Sequence, residues 1–490
     1  TIAQPREELK QHSLFKNIFY NSLLSIFNIL FPLLMLMYVS RKVGPENIGK
    51  VSWAITFTSY FVLIAVFGIN NYGIRAIASV REDRDRLDAT FSKIFSFSLV
   101  TSVIAVTAYI IAVIVMPSMR NKYALFTITG TMVVLSPLSL EWFFLGIENF
   151  RYIALRSILL KLASLVLMVI FIKSSDDYLI YALIYVLGLC LNYVFNFAYA
   201  MKIVRPVFSF SGADVRAIFK SIYRFALISF VTSLYGGLDK ILLGAFAGFI
   251  GVGFYTPAEK IVRTFLSVIV AACTTMIPRT SFMIATGKDE EAKSLITDSL
   301  HAVLLLAIPL FFGILILAEP LILLFGGSAF LPSVPTLRIM AFIIIPVALA
   351  NVAGVQVLVA CRHEGKYLVS IIAGTIAFLL VAFFSMPKYA QNGAAFAIVL
   401  AESVGALLEV YFARFYLRNA WQGKWILPVL VATLLMAGAV YGLELLNLSP
   451  LKSLLTSGVA GMVIYFLALY LMRDSIIRRV MKRVLPSIRR

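Results

Sequence analysis

The feature that most limits what this chain can fold into is its succession of unbroken apolar runs. Each is about 20 residues long, the length of helix that crosses a hydrocarbon core roughly 30 Å thick. None shows the apolar/polar alternation of a half-buried strand. In lipid every backbone N–H and C=O needs a partner within the protein, so such runs fold as helices. Fourteen windows can be placed: Leu14 to Val39, Ile48 to Ile74, Phe91 to Met116, Ala124 to Leu145, Ile153 to Ile172, Leu179 to Met201, Ile218 to Ala245, Val252 to Phe282, Leu295 to Leu317, Val334 to Ala360, Leu368 to Phe384, Gly393 to Tyr416, Ile426 to Leu446 and Leu454 to Leu471. The fold class is therefore an all-α integral membrane protein. Composition agrees, since 61% hydrophobic residues against 14% charged ones exceed what a soluble core of 490 residues buries.

The formal net charge of +19 would suggest nucleic acid in a soluble protein, but no soluble domain interleaves basic and aromatic residues here. The excess is better explained by topology. Segments before span 1, after each even-numbered span and at the C-terminus hold about 31 of the 43 Lys and Arg residues, and the alternate connections hold about nine. Arg81, Arg84 and Arg86, then Lys202, Arg205, Arg216 and Lys220, and the tail from Arg473 to Arg490 lie on the rich side. Both termini are thus expected in the cytoplasm, with Thr1 to Lys16 leading into a first spanning helix rather than a cleaved signal peptide. The opposite connections are short, so function is expected within or across the bilayer.

Two weak internal matches suggest a repeat. Ile48 to Ala54 resembles Val252 to Ala258 at a spacing of 204 residues, and Glu148 to Tyr152 resembles His363 to Tyr367 at a spacing of 215. Each pairs a span with the one six later. The expected organisation is a lobe of spans 1 to 6 (1–205), a second of spans 7 to 12 (206–420), and spans 13 and 14 with a basic tail (421–490).

An ionisable group near the bilayer centre costs about 2.5–3.5 kcal/mol, so it tends to face a cavity or a partner. Asp239 and Lys240 lie near the end of span 7, and Glu259, Lys260 and Arg263 lie within span 8. Glu259 and Arg263 are spaced for an ion pair along one helix face, which leaves Lys240 and Lys260 as the cations without an obvious partner. Glu402 and Glu409 share a face of span 12. Asn70, Asn71 and Arg75 in span 2, and Asn351 and Gln356 in span 10, add polar atoms at corresponding places in the two lobes. The pattern suits a hydrated cavity with a basic part. Plainer readings stand beside it: Asp239 as a structural counter-ion to Lys240 or Lys260, Arg75 snorkelling to headgroups, and Arg41 or Lys42 paired with Glu46 at the surface.

Some chemistries lack their residues. His12, His301 and His363 are scattered, Cys190, Cys273 and Cys361 have no metal-ligand spacing, and no phosphate-cradling Gly-rich loop is present. No metal or organic cofactor is expected. An integral-membrane glycan-modifying enzyme is the main reading from another class, and the short loops count against it.

Two stretches carry a family resemblance. Arg41-Lys42-Val43-Gly44-Pro45-Glu46-Asn47-Ile48-Gly49, continuing to Phe67-Gly68-Ile69-Asn70-Asn71-Tyr72-Gly73-Ile74-Arg75, is the first. The second runs from Glu141-Trp142 to Arg151-Tyr152, followed by Arg156-Ser157 and the Lys173 to Asp177 turn. They resemble the Wzx-type flippases of bacterial polysaccharide export, within the wider group of multidrug, oligosaccharidyl-lipid and polysaccharide exporters. Leu238-Asp239-Lys240-Ile241-Leu242-Leu243-Gly244 extends the likeness. The resemblance implies two six-helix lobes around a V-shaped cavity, alternating access, and an undecaprenyl-diphosphate-linked oligosaccharide moved from the cytoplasmic to the periplasmic leaflet of the inner membrane for O-antigen or related polysaccharide. It implies no enzyme activity and no nucleic acid partner, and it points to a polysaccharide polymerase and chain-length machinery as partners. A diphosphate needs cations, which Lys240, Lys260 and Arg263 would supply with Arg75, Asn70 and Asn71, while Arg41 and Lys42 would sit at an outward gate. Coupling to protons, sodium or the membrane potential would involve Asp239, Glu259, Glu402 or Glu409. A cation-coupled multidrug exporter of the same fold is the alternative.

Overall fold

A computed structural model describes residues 14–206, 212–274, 276–418, 420, 425–446, 448–479 and 481. His12, most of the polar segment before span 1, and the end of the basic tail lie outside them. Among the described residues the chain forms helices and connecting turns, with no strand. It divides into two compact units, Thr1–Ile241 and Leu242–Arg490.

The first unit contains α1 (Leu14–Val43), α2 (Pro45–Val66), α3 (Ile69–Val80), α4 (Arg84–Val115), α5 (Tyr123–Leu135), α6 (Glu141–Gly146), α7 (Phe150–Phe171), α8 (Tyr178–Ile203) and the start of α9 (Gly212–Thr274). Spans 2 and 4 are each two helices. Phe67 and Gly68, both at positive φ, separate α2 from α3, and a tight turn at Ser136–Ser139 with left-handed Leu140 separates α5 from α6. Within the unit α1 packs on α7, α2 on α4 and α5, α3 on α6, and α8 on both α5 and α7.

Lipid tails are as apolar as leucine, so packing and interhelical hydrogen bonds hold such helices together. Phe91, Trp142, Phe143 and Phe144 are fully or almost fully buried, with ring centroids 5.2 Å apart for Phe91 and Phe143 and 5.3 Å for Phe143 and Phe144. Each such pair contributes about 0.5–1.5 kcal/mol. A buried polar knot ties α2, α4 and α5: Thr58 Oγ1 donates to Thr129 Oγ1 at 3.0 Å, and the Tyr109 hydroxyl donates to Phe126 O at 2.6 Å.

The second unit continues α9 and adds α10 (Ile277–Ala285), α11 (Asp289–Ile316), α12 (Ala318–Phe325), α13 (Ser333–Ala341), α14 (Ile344–Ala350), a π-helix at Asn351–Val359, α15 (Glu364–Phe412), α16 (Arg414–Leu417), α17 (Ile426–Glu444) and α18 (Pro450–Leu471). Spans 13 and 14 are α17 and α18. They pack on each other, with α17 also against α11 and α18 against α12. The buried Tyr465 hydroxyl donates to Leu305 O at 2.7 Å, joining α18 to α11.

Among the described residues twelve helices are long and apolar enough to cross a membrane. Two of them are continuous through a break, at Gly248 (φ 69°) in α9 and Ala390 (φ 46°) in α15. Each break lies between two sequence windows, 7 and 8 or 11 and 12, so the fourteen windows and the twelve helices describe the same polytopic fold.

The repeat reappears as backbone geometry. Gly44 at φ 78° precedes span 2 and Gly248 at φ 69° precedes span 8, at the 204-residue spacing of the sequence match. Glycine populates this region without steric cost. The second match shifts by one residue. Glu148 and Arg362 both have φ 59°, and the Asn149 N–H to Phe144 O and His363 N–H to Leu358 O bonds repeat the same turn at a spacing of 214. The sequence match at 215 aligned tyrosines, whereas the turn itself is set by the hydrogen bonds of the helix end. The division between units falls inside α9 at 241/242, while the repeat places a lobe boundary at 205/206. The α9 residues before the division lean on α2: Trp53 Nε1 donates to Ile241 O at 3.3 Å, and a Cβ at Gly237 would lie 2.8 Å from Thr56.

Candidate functional site

In the first unit α3 presents two faces. Ile69, Gly73 and Ile77 are buried at helical spacing, and a Cβ on Gly73 would lie 2.7 Å from the Trp142 ring of α6. Asn70, Asn71 and Arg75 are exposed. The packing of α3 on α6 thus turns these three polar side chains outward together.

Asp239 is buried and Lys240 partly buried in the same unit, with the Lys240 backbone N–H donating to Asp239 Oδ1 at 2.7 Å. Arg41 and Lys42 are exposed at the end of α1, where Arg41 Nη1 donates to Met37 O at 2.6 Å. Glu46, the expected partner of one of them, is paired with Lys50 at 2.9 Å, one helical turn on. Asn47 Nδ2 donates to Ser175 O at 2.9 Å, which ties this corner to the turn before α8.

In the second unit the Glu259–Arg263 pair forms as its spacing predicts, with Arg263 Nε 2.8 Å from Glu259 Oε1. Glu259 is buried and Arg263 largely exposed. Lys260 is partly buried between them in sequence. The expectation that Lys240 and Lys260 lack partners does not hold, because both engage other groups. Asp239 and Lys240 belong to the first unit, and Glu259, Lys260 and Arg263 to the second.

Glu402 is partly buried and Glu409 buried on one face of α15. The Glu409 carboxylate packs against the π-helix, where a Cβ on Gly354 would lie 2.5 Å from Glu409 Oε2 and 2.9 Å from the Tyr367 ring. A π-helical bulge often marks a functional position. Gln356, expected to add a polar atom to a cavity, instead is fully buried. Its Nε2 donates to Thr280 Oγ1 at 3.1 Å and to Ser299 Oγ at 2.9 Å, cross-linking the π-helix to α10 and α11. Asn351 Nδ2 donates to Val347 O at 2.9 Å, one turn back.

Several further polar residues within spans are engaged across helices in ways that their spacing does not suggest. Arg156 is buried on α7 beside Asn192 of α8, and Lys161 donates to Asn28 Oδ1 on α1. Asn28, Lys161 and Asn192 each interrupt an apolar run, and that was the available signal. His301 and Asp474 are also both buried, 2.8 Å apart, which no spacing in the sequence reveals.

The family described as polysaccharide biosynthesis protein matches residues 14–284, more than half of the chain. A protein of Escherichia coli (strain K12) described as an O-antigen transporter is 24% identical over 409 residues, covering 82% of this chain and 97% of that one. A protein of Haloferax volcanii described as the low-salt glycan biosynthesis flippase Agl15 is 24% identical over 251 residues, covering 50% of this chain and 53% of that one. In fold, the chain is similar to the lipid II flippase MurJ in an inward closed conformation, with a TM-score of 0.74, 15% identity, and coverage of 94% of this chain and all of that one. An inward-facing multidrug resistance MATE transporter follows at a TM-score of 0.61, 16% identity, and coverage of 83% and 99%.

Proposed function

Since the chain belongs to the polysaccharide biosynthesis protein family, we propose that it is a flippase that moves an undecaprenyl-diphosphate-linked oligosaccharide from the cytoplasmic to the periplasmic leaflet of a bacterial inner membrane. The observation that carries this reading is the combination of that family with a polytopic helical fold shared with a lipid flippase. The protein is a transporter, and its two compact units suit alternating access. Both termini lie in the cytoplasm in this reading, which the distribution of Lys and Arg supports.

Charge within the spans supports a polyanionic headgroup. Lys240, Lys260, Arg263 and Arg75 supply cations, with Asn70 and Asn71 as hydrogen-bonding groups for the headgroup and sugar. Arg41 and Lys42 guard the outward end. A multidrug exporter would need acids in an apolar pocket for cationic drugs, whereas along α9 the bases Lys240, Lys260 and Arg263 outnumber the acids Asp239 and Glu259.

The energetics favour export. Moving negative charge outward in a cell that is negative inside is downhill by about 2.3 kcal/mol per charge per 100 mV. Glu259, Glu402 and Glu409 are the groups through which protons would add to this force, with Asp239 balancing the nearby lysine. The glycan then passes to a polymerase and its chain-length partner.

Replacing Lys240 and Lys260 by Ala together is expected to abolish surface glycan in cells that retain normal protein levels. Undiminished surface glycan in that double variant would remove the basic-site reading.

A further inference from the structure

Arg156 is the sixth residue after the start of α7, about 9 Å along the axis at 1.5 Å per residue. An arginine at that depth usually snorkels toward water. Arg156 does the opposite and is only 8% exposed. Its Nε donates to Asn192 Oδ1 on α8 at 2.9 Å, and Asn192 Nδ2 donates to Gly188 O at 2.6 Å, which fixes the amide end that faces the arginine. The Tyr152 ring lies 5.1 Å from the guanidinium carbon. That ring is held by its own hydroxyl, which donates to Phe195 O at 2.8 Å, and by Tyr199, 4.3 Å away between centroids.

The clamp secures the Nε edge and one face of the guanidinium, and the two terminal nitrogens are buried with no well-formed hydrogen bond, the Tyr152 hydroxyl being the polar group beside them. Glu141 Oε1 lies 4.0 Å from Nη2, near enough to offset the charge and too far to bond. Leaving a buried guanidinium fork unused is costly. The fork matches the paired oxygens of a carboxylate or phosphate. Glu141 is 55% exposed in its side chain near the end of the span Tyr123–Gly146, where a carboxylate costs least facing water or headgroups. The exposed carboxylate marks the side from which an anion arrives.

We infer that Arg156 is an oxyanion-docking residue of the first unit, and that a phosphate or carboxylate of the substrate displaces Glu141 as its counter-ion. The inference rests on the flippase reading and names a contact for the substrate's charge. Tyr152 and Arg156 lie one turn apart on α7, and Glu141 of α6 is brought beside them across one helix break.

The test is binding to the full-length protein in detergent, with undecaprenyl diphosphate as the phosphate probe, tri-galacturonate as the sugar-carboxylate probe and undecaprenol as the neutral control. Glu141→Gln removes the competing anion and is expected to tighten one charged probe about tenfold, the probe that responds identifying the source of the oxyanion. Arg156→Gln is expected to weaken the same probe about tenfold and to make Glu141→Gln silent, with Arg156→Lys recovering only part because it lacks the fork. Unchanged or weaker binding of both probes by Glu141→Gln, or equal tightening of undecaprenol, overturns the inference, and this holds even if the Arg156 variants fail to fold. If the wild type flips a lipid-linked glycan in vesicles while Glu141→Gln changes nothing, this inference alone fails. If the wild type neither binds nor flips, the flippase reading fails with it.

Discussion

At Gly354 a single methyl group tests how closely Glu409 is packed. A Cβ there would sit 2.5 Å from Glu409 Oε2, and overpacking of this kind costs about 1–3 kcal/mol. Gly354→Ala is therefore expected to lower the unfolding temperature of the detergent-purified protein. Most of that loss should vanish in a Glu409→Ala background, since residues in contact couple non-additively. Equal losses in both backgrounds would mean that the clash lies elsewhere. Residue pairs close in sequence were legible before the structure: Glu259 and Arg263 pair because four residues bring them to one helix face. Pairs distant in sequence were not. Gln356 reads as a cavity residue from its polarity, but its position is decided by Thr280 and Ser299 on two other helices. Arg156 resembles a snorkelling arginine until Asn192 is placed beside it.

At the level of elements, the turn after α18 shows how the start of the next helical segment, 475–479, is fixed. Asp474 accepts the N–H groups of Ile476 at 2.9 Å and Ile477 at 3.1 Å and lies 2.8 Å from His301 Nε2 of α11. His301 in turn stacks on Trp425, 4.6 Å between centroids. Burial by itself would raise the Asp474 carboxyl, but His301 and the two backbone N–H groups outweigh it and hold the carboxyl below its usual range. A carboxyl lowered in the folded state adds stability that is complete above its unfolded value, near 4, and is lost as pH falls through the lower folded value. The turn after α18 should thus stay docked at neutral pH and loosen only in stronger acid. Asp474→Ala is expected to cut hydrogen-exchange protection of Ile476 and Ile477 about fivefold at neutral pH, the loss of a helix cap worth about 1 kcal/mol. Unchanged protection would show that the segment is held by Asp298 and Arg479, which bond at 2.8 Å through both guanidinium nitrogens. Helices and their ends were legible from apolar length. Breaks inside single windows were less so, because Phe67 and Leu140 adopt positive φ, which their residue types do not favour.

For the whole molecule, apolar windows and the placement of basic residues suffice for an all-α polytopic fold, because lipid removes every other way to satisfy the backbone. The repeat was legible at Gly44 and Gly248, where the conformation demands glycine, and was one residue out where only aromatic similarity guided it. The 241/242 division was not legible, since it depends on how the α9 residues before it pack on α2. Function at this scale is directional movement of one polar headgroup. The most direct measurement reconstitutes the purified protein into vesicles carrying a fluorescent undecaprenyl-diphosphate oligosaccharide and follows its accessibility to a membrane-impermeant quencher. The account predicts protein-dependent transfer between leaflets, accelerated by a potential that draws negative charge across and lost in the Lys240→Ala, Lys260→Ala variant. Transfer no faster than in protein-free vesicles, in a preparation that remains folded, would contradict it.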